Sequence, residues 1–327
     1  MAIFKKIFSA LLRISISIIL LIFLFRQVDK KNLFEIIQHA DKALLFFSGL
    51  VFFFGYILCL WRWEMLLKAA KIKLSLKRII ISFSGGIFFS LFLPSTIGGD
   101  LVRSIDLAAH TNRPREVVAT VLLDRLSGYV GLVILALLAV FLGGKFAQDK
   151  SIVFSIAVIT TLLIVILLAL FNKFLYSKIN MLLNSPSAGR IREAIKNLHQ
   201  EIYYFREHKR VMLRSLMLSL IIQSIQPITF YLTAVSLGIK INLIYFFIFI
   251  PIIGAITMLP ISIGGLGLRD ATTIFFFAKA GVNKDLAFAM SLLNFFFIVL
   301  YAAIGGIIYA LTVHHRRLQH HKSPQLH

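Results

Sequence analysis

At 327 residues, with 59% hydrophobic and only 15% charged and a mean hydropathy of +0.88, the chain is excluded as a soluble domain, where about a quarter of residues carry charge. Uncharged apolar stretches recur from one end to the other, which excludes a single anchor with a soluble head and leaves an all-α polytopic membrane protein. The net charge of +21 calls for no nucleic acid, because cytoplasmic loops are normally rich in Lys and Arg.

Taken in chain order, the uncharged runs are 14–25, 43–61, 79–99, 126–144, 151–172, 215–239, 241–268 and 286–315. About twenty residues suffice to cross the hydrocarbon. The first run follows Lys5 and Lys6 without a small-residue cleavage site after it, so an uncleaved helix is expected rather than a signal peptide. Eight simple crossings would divide the basic residues almost evenly between the two faces and leave the Lys/Arg-rich 172–210 segment outside. If 79–111 and 243–281 each enter the membrane, turn and return to the same side, most basic residues fall inside. The expectation is therefore six crossings plus two re-entrant hairpins in one integral membrane domain, 1–327, of a cell membrane, with both termini cytoplasmic.

Residues 190–210 put Ile191, Ala194, Ile195, Leu198, Ile202 and Phe205 on one helical face after a break at 185–189. That pattern suits a helix on the cytoplasmic leaflet, and 64–77 is a shorter, more basic version. Both also suit solvated connectors. The tail, 316–327, is basic and follows His314 and His315; with His320, His321 and His327 it suits an anionic lipid surface better than a metal, since the spacing matches no metalloprotease helix.

Displacing the chain against itself by 166 residues aligns LPSTIGGDLVR at 93–103 with LPISIGGLGLR at 259–269, identical at six of eleven positions. Two repeats are expected, 1–144 and 151–315, each with three crossings and one hairpin. An odd number of crossings inverts the second copy, the usual plan of a transporter. In each hairpin Pro94 or Pro260 stops the entering helix. The paired glycines, Gly98 with Gly99 and Gly264 with Gly265, allow tight turning and close approach. The returning helix starts with free N–H groups and a positive dipole end, and Arg103 or Arg269 adds a permanent charge. Such a pair could bind lipid phosphate, one site from each side. The glycines could equally serve packing alone, and Arg103 could simply pair with Asp100 or Asp106, and Arg269 with Asp270.

Asp124, beside Arg125, is the one acid of fourteen well inside a crossing helix. It could hold Arg103 or Arg125, or carry a proton during transport. Gln223, Gln226 and Pro227 bring amides and a kink to the 215–236 helix, where they could line a polar cavity or join helices; Asn294 has the same two roles open. No Walker loop, HExxH pair, GxSxG elbow or paired-cysteine motif occurs, and Cys59 is alone, so no cofactor and no metal are expected.

LPSTIGGDLVR, then VVATVLLDRLSG at 117–128, then LPISIGGLGLRDA resemble the lysylphosphatidylglycerol synthase transmembrane family across essentially the whole chain. That family includes the membrane half of the multiple peptide resistance factor, which moves aminoacylated phosphatidylglycerol between leaflets. The resemblance carries its pattern onto Pro94, Gly98, Gly99, Asp100, Arg103, Asp124, Arg125, Pro260, Gly264, Gly265 and Arg269. It implies a flippase-like lipid translocase for an anionic or aminoacylated phospholipid. The chain ends about a dozen residues after its last apolar run, whereas the full factor continues into an aminoacyltransferase domain, so no lysyl transfer is expected. The expected partners are a lipid phosphate, the bilayer, a separate lipid-modifying enzyme and further copies of the chain. Rival expectations are polyprenyl-phosphate handling in envelope glycan assembly, an enzyme acting on lipid head groups through Ser95, Thr96 or Ser262, and an accessory subunit of another envelope protein.

Overall fold

A computed structural model describes residues 15, 22, 24, 26, 30–93, 96–143, 149–172, 199, 201–203, 205–258, 262 and 264–321. Ten α-helices are described: α1 (Lys30–Gln38), α2 (Lys42–Ala69), α3 (Leu76–Phe92), α4 (Thr96–Thr111), α5 (Pro114–Leu142), α6 (Lys150–Phe171), α7 (Lys209–Ser236), α8 (Leu243–Thr257), α9 (Leu268–Ala278) and α10 (Lys284–His321). Their starts carry helix-initiating chemistry. The Asp41 carboxylate accepts from Ala43 N and Leu44 N at 2.9 and 3.1 Å, Asp149 accepts from Ser151 N and Ile152 N, and Asn242 accepts from Ile244 N. Pro114 opens α5, where its missing N–H costs nothing.

Among the described residues five stretches are long and apolar enough to cross a membrane: α2, α5, α6, α7 and Lys284–Thr312 of α10. At about 1.5 Å per residue the 28 residues of α2 extend roughly 42 Å, enough for the hydrocarbon and both interfaces. The chain is thus a multi-pass membrane protein. Large apolar side chains such as Phe154, Leu162, Val165 and Leu168 on α6 are exposed, as a lipid-facing surface requires.

Neither 79–99 nor 241–268 forms one continuous helix. The first run ends its helix at Phe92 and the second at Thr257. The short helices pack as two pairs, α3 with α4 and α8 with α9. Contacts between the halves are exchanged: α3 packs on α10 while α4 packs on α5, and α8 packs on α5 while α9 packs on α10. At the centre α2 packs along α7. One apolar core joins α5, α7, α8, α9 and α10 around Phe230, Phe246, Phe249, Phe277 and Met290; another joins α2, α3, α4 and α5 around Trp63, Phe83, Leu107 and Val121.

Two surface segments differ from expectation. Residues 64–69 continue α2 rather than forming a separate surface helix, because Leu66 and Leu67 are fully buried in the protein. Residues 190–198, 200 and 204 lie outside the described residues, so the amphipathic face of Ile191, Ala194, Ile195 and Leu198 does too. Ile202 and Phe205 are described and buried against Leu66, Ala119 and Leu123, so this end of the segment faces α2 and α5 instead of lipid. Most of the 14–25 run and residues 322–327 of the tail are also outside, while the helical backbone of α10 continues past residue 315 to His321.

Glycines set the closest helix approaches. A Cβ at Gly305 would come within 2.9 Å of the Ser84 carbonyl, and one at Gly131 within 3.0 Å of the Ser219 backbone. A Cβ at Gly99 would overlap Ser90 Oγ and the Gly86 carbonyl, where α4 crosses α3. Gly99→Ala should therefore lose about 1–3 kcal/mol through overpacking. Gly254→Ala, with nothing within 4 Å of the added carbon, should be neutral or gain up to about 1 kcal/mol of helix propensity. Thermal unfolding of the two variants in detergent tests the contrast; equal melting temperatures would contradict it.

Candidate functional site

Three arginines and two aspartates from three helices meet inside the first half of the bundle. Asp124 on α5 receives Arg62 Nε from α2 at 2.8 Å on one carboxylate oxygen and Arg103 Nη2 from α4 at 3.0 Å on the other. Arg103 Nη2 also lies 3.0 Å from Asp100, one turn earlier on α4. Asp100 in turn takes Arg125 of α5 in a two-pronged grip, Nε at 2.6 Å and Nη2 at 2.9 Å. Arg62, Arg103 and Asp124 are 5%, 3% and 3% exposed. Arg125 is the open end of the chain, with a third of its side chain exposed.

Aromatic and hydroxyl groups complete the cluster. The Arg103 guanidinium stacks 4.7 Å from the Trp63 ring and 5.6 Å from that of Phe83, a favourable cation–π placement in a dry setting. The Trp63 indole N–H donates to Thr120 Oγ1 at 3.3 Å. From α7, Ser219 Oγ accepts Arg62 Nη1 at 2.7 Å, Ser215 donates to Ser127 at 3.0 Å, and Gln223 Nε2 donates to the Gly128 carbonyl at 2.7 Å. Ser215, Ser219 and Gln223 are spaced by four and so form a polar stripe along one face of α7.

Charge arithmetic makes this more than a set of structural ties. Arginine stays protonated in proteins, so with both aspartates ionised the five groups carry a net charge of plus one. Burying an uncompensated charge is costly, and Arg103 Nε is buried with no hydrogen-bond partner. The cluster therefore carries one unbalanced positive charge and, at Arg103 Nε, a buried N–H with no hydrogen-bond partner.

The matching site of the second half is electrically neutral. Arg269 Nη2 meets Asp270 at 2.6 Å, Arg269 Nε meets Ser291 Oγ at 3.1 Å, and Ser291 donates to Asp270 at 2.6 Å. The guanidinium stacks 4.6 Å from Phe295, and Nη1 is buried without a hydrogen-bond partner. The Gly-rich turn before α9 is left-handed at Gly264, Gly265 and Gly267, with φ of +59°, +74° and +76°, which only glycine adopts cheaply. Gly267 N donates to Asp270 at 3.0 Å and so closes that turn onto the helix. A Cβ at Gly264 would lie 3.4 Å from the Leu91 carbonyl, so this turn abuts the end of α3.

Of the residues expected from sequence, Asp100, Arg103, Asp124, Arg125 and Gln223 converge on one locality, and Arg269 with Asp270 forms another. Gln226 is exposed and stands apart. Asp124 does not hold Arg125, which Asp100 takes. Asp106 does not pair with Arg103; it binds Arg78 and Ser82. Gly98 and Gly99 lie in the first turn of α4, where Cβ atoms would meet Leu93, Ser90 and Gly86, so close packing already requires them. Asn294 is buried and donates to the Met290 carbonyl. Ser262 Oγ is buried without a partner. Pro94, Ser95 and Pro260 lie outside the described residues, as does the Thr96 side chain.

Arg62 and Ser219 are the residues that sequence reasoning passed over. Arg62 was read as the end of the 43–61 run, yet α2 continues seven residues beyond it, to Ala69. The signals were a cation flanked by Trp61 and Trp63 within a helix-compatible run, and the four-residue spacing of Ser215, Ser219 and Gln223.

The balance of charges predicts unequal losses for neighbouring substitutions. Asp124→Asn leaves three guanidinium groups facing one carboxylate and should destabilise by about 3–5 kcal/mol. Arg103→Ala leaves two of each sign and should cost distinctly less. In thermal unfolding, the double variant Arg62→Gln/Asp124→Asn should lose less than the sum of its single variants; strict additivity would show the pair to be uncoupled.

The chain is similar to several membrane proteins. A UPF0104 membrane protein of Pyrococcus horikoshii is 22% identical over 311 residues, covering 87% of this chain and 90% of the relative. Two UPF0104 membrane proteins of Methanothermobacter thermautotrophicus are 22% and 24% identical, each covering 80% of this chain and 81% or 82% of the relative. The pattern of the lysylphosphatidylglycerol synthase TM region matches residues 10–306. With nearly all of its length matched, the chain belongs to the lysylphosphatidylglycerol synthase TM region family.

Proposed function

We propose that this protein moves an anionic lipid between leaflets, with the lipid phosphate received at the Arg62–Arg103–Arg125 cluster. The observation that carries the reading is the unbalanced buried charge: three guanidinium groups share two carboxylates. A singly charged phosphodiester would neutralise it. Arginine is suited to grip such a group with paired N–H donors, and family membership supports lipid handling.

The reading includes two inverted repeats, with α3–α4 and α8–α9 as re-entrant hairpins and both termini cytoplasmic. Its support is the repeated Leu-Pro and Gly-Gly motif, the breaks after Phe92 and Thr257, and the exchanged packing of the short helices onto α5 and α10. Arg103 and Arg269 would serve in turn, one from each side. Arg269 is already neutralised by Asp270, so the second station would release an anion more readily than the first holds it. That difference suits a path better than two equal traps.

The test is movement of fluorescent phosphatidylglycerol, lysyl-phosphatidylglycerol and polyprenyl phosphate in separate proteoliposome assays. Arg103→Ala and Arg269→Ala should each reduce the rate for the transported lipid at least tenfold while the protein stays folded. Arg103→Lys should recover only part, because it keeps the charge and loses the planar fork. Undiminished transport in both alanine variants would overturn the proposal, and the lipid that moves fastest identifies the substrate class.

A further inference from the structure

A groove of about 400 Å³ runs between α2 and α10. Its walls include Phe46, Leu50 and Phe53 from α2 and Phe296, Leu300 and Ile304 from α10, all exposed. Gly49 opens its floor: a Cβ there would touch the Phe297 ring at 3.3 Å. The groove has the volume of a small-ligand pocket but contains no charged group among its lining residues. It lies on helices long and apolar enough to span the bilayer.

At its inner edge Tyr301 of α10 stacks on Tyr56 of α2, with ring centroids 3.8 Å apart, and Phe53 meets Tyr301 edge-on at 5.5 Å. Along α2 the order is therefore groove, tyrosine pair, arginine cluster. From Phe53 to Arg62 is nine residues, roughly 13 Å of helix. An apolar groove and a cationic side-chain cluster that follow one another along α2 match a molecule that is apolar at one end and anionic at the other.

We propose that this groove seats one acyl chain of the same lipid whose phosphate the arginine cluster receives, an inference that rests on the head-group reading above. The chain is held by fit and apolar contact, while the stacked tyrosines mark the boundary at which apolar surroundings give way to charge. An acyl chain, unlike a protein side-chain surface, can reach such a groove directly from the surrounding bilayer without leaving hydrocarbon.

The probe is phosphatidylglycerol carrying a photoactivated diazirine on one acyl chain, titrated into phosphatidylcholine proteoliposomes of the full chain. Labelled peptides are then located by mass spectrometry. Contact with bulk lipid rises in proportion to probe content, as labelling of α6 around Leu162 should. Labelling of the α2 and α10 groove peptides should instead saturate at low probe content. Leu300→Trp or Leu50→Trp, each filling the groove, should reduce it at least threefold, and Leu162→Trp should not. Groove labelling that rises in proportion like α6, or that survives both groove-filling variants, would overturn the inference. So would disulfide-linked dimers formed by the Leu300→Cys variant and not by the parent chain, which would make the groove a protein interface. A diacylglycerol carrying the same diazirine chain separates the two readings. Saturable groove labelling by that uncharged probe supports the chain site and removes the head-group reading, whereas saturation by the phospholipid alone supports both.

Discussion

The Asp124 carboxylate is the constraint on which the first half of the bundle depends. Its two oxygens serve two guanidinium groups from different helices, Arg62 of α2 and Arg103 of α4, and its own backbone belongs to a third, α5. Buried ion pairs offset the loss of hydration only when geometry and additional hydrogen bonds are good. Here the additional bonds come from Ser219 of α7 and from Asp100, so four helices are registered against one another by a single anionic centre. The surrounding Trp63 and Phe83 rings exclude water and strengthen each pairing.

Apolar packing supplies what the ionic centre cannot, namely closeness. In a bilayer, lipid tails are as apolar as the helices, so association depends on surface fit rather than on escape from water. The glycines answer this need at specific crossings: Gly55 admits Ile225 between α2 and α7, Gly131 admits the Ser219 backbone, and Gly305 admits the Ser84 carbonyl. Among the described residues the second half has no equivalent of the five-charge cluster. Its Arg269 pairs with Asp270 within α9 and with one serine of α10, while Phe246, Phe249, Phe277 and Phe230 provide an extensive aromatic core.

Much of this architecture was readable from the chain because the bilayer imposes few options. Among the described residues the long apolar runs became helices, and the Gly-Gly motifs follow the points where two runs break. Asp100, Arg103, Asp124 and Arg125 could be nominated because charge inside an apolar run is rare. Pairings of Arg103 with Asp100 or Asp124 were among the open alternatives, but the choice among them could not be made, since which carboxylate meets which guanidinium depends on how α4 and α5 rotate about their axes. Arg62 escaped because a span was ended at its first charge, although a paired arginine can sit well inside one. The inward turn of Ile202 and Phe205 escaped for a related reason: an amphipathic face is equally compatible with lipid and with protein.

The contact between Gly131 and Ser219 has a mechanical consequence. The crossing of α5 and α7 is at its closest where the same serine also accepts Arg62 of α2. Sliding α7 by one residue would drive its backbone into α5 and strip Arg62 of a partner at once. These three helices accordingly behave as a keyed shaft, stiff against translation, to which α4 is also tied through Arg103 and Asp100; displacement with the lowest resistance belongs to the short helices without such ties. Any cycle of opening and closing in this protein then has its fixed axis in the centre of the bundle and its travel at the rim.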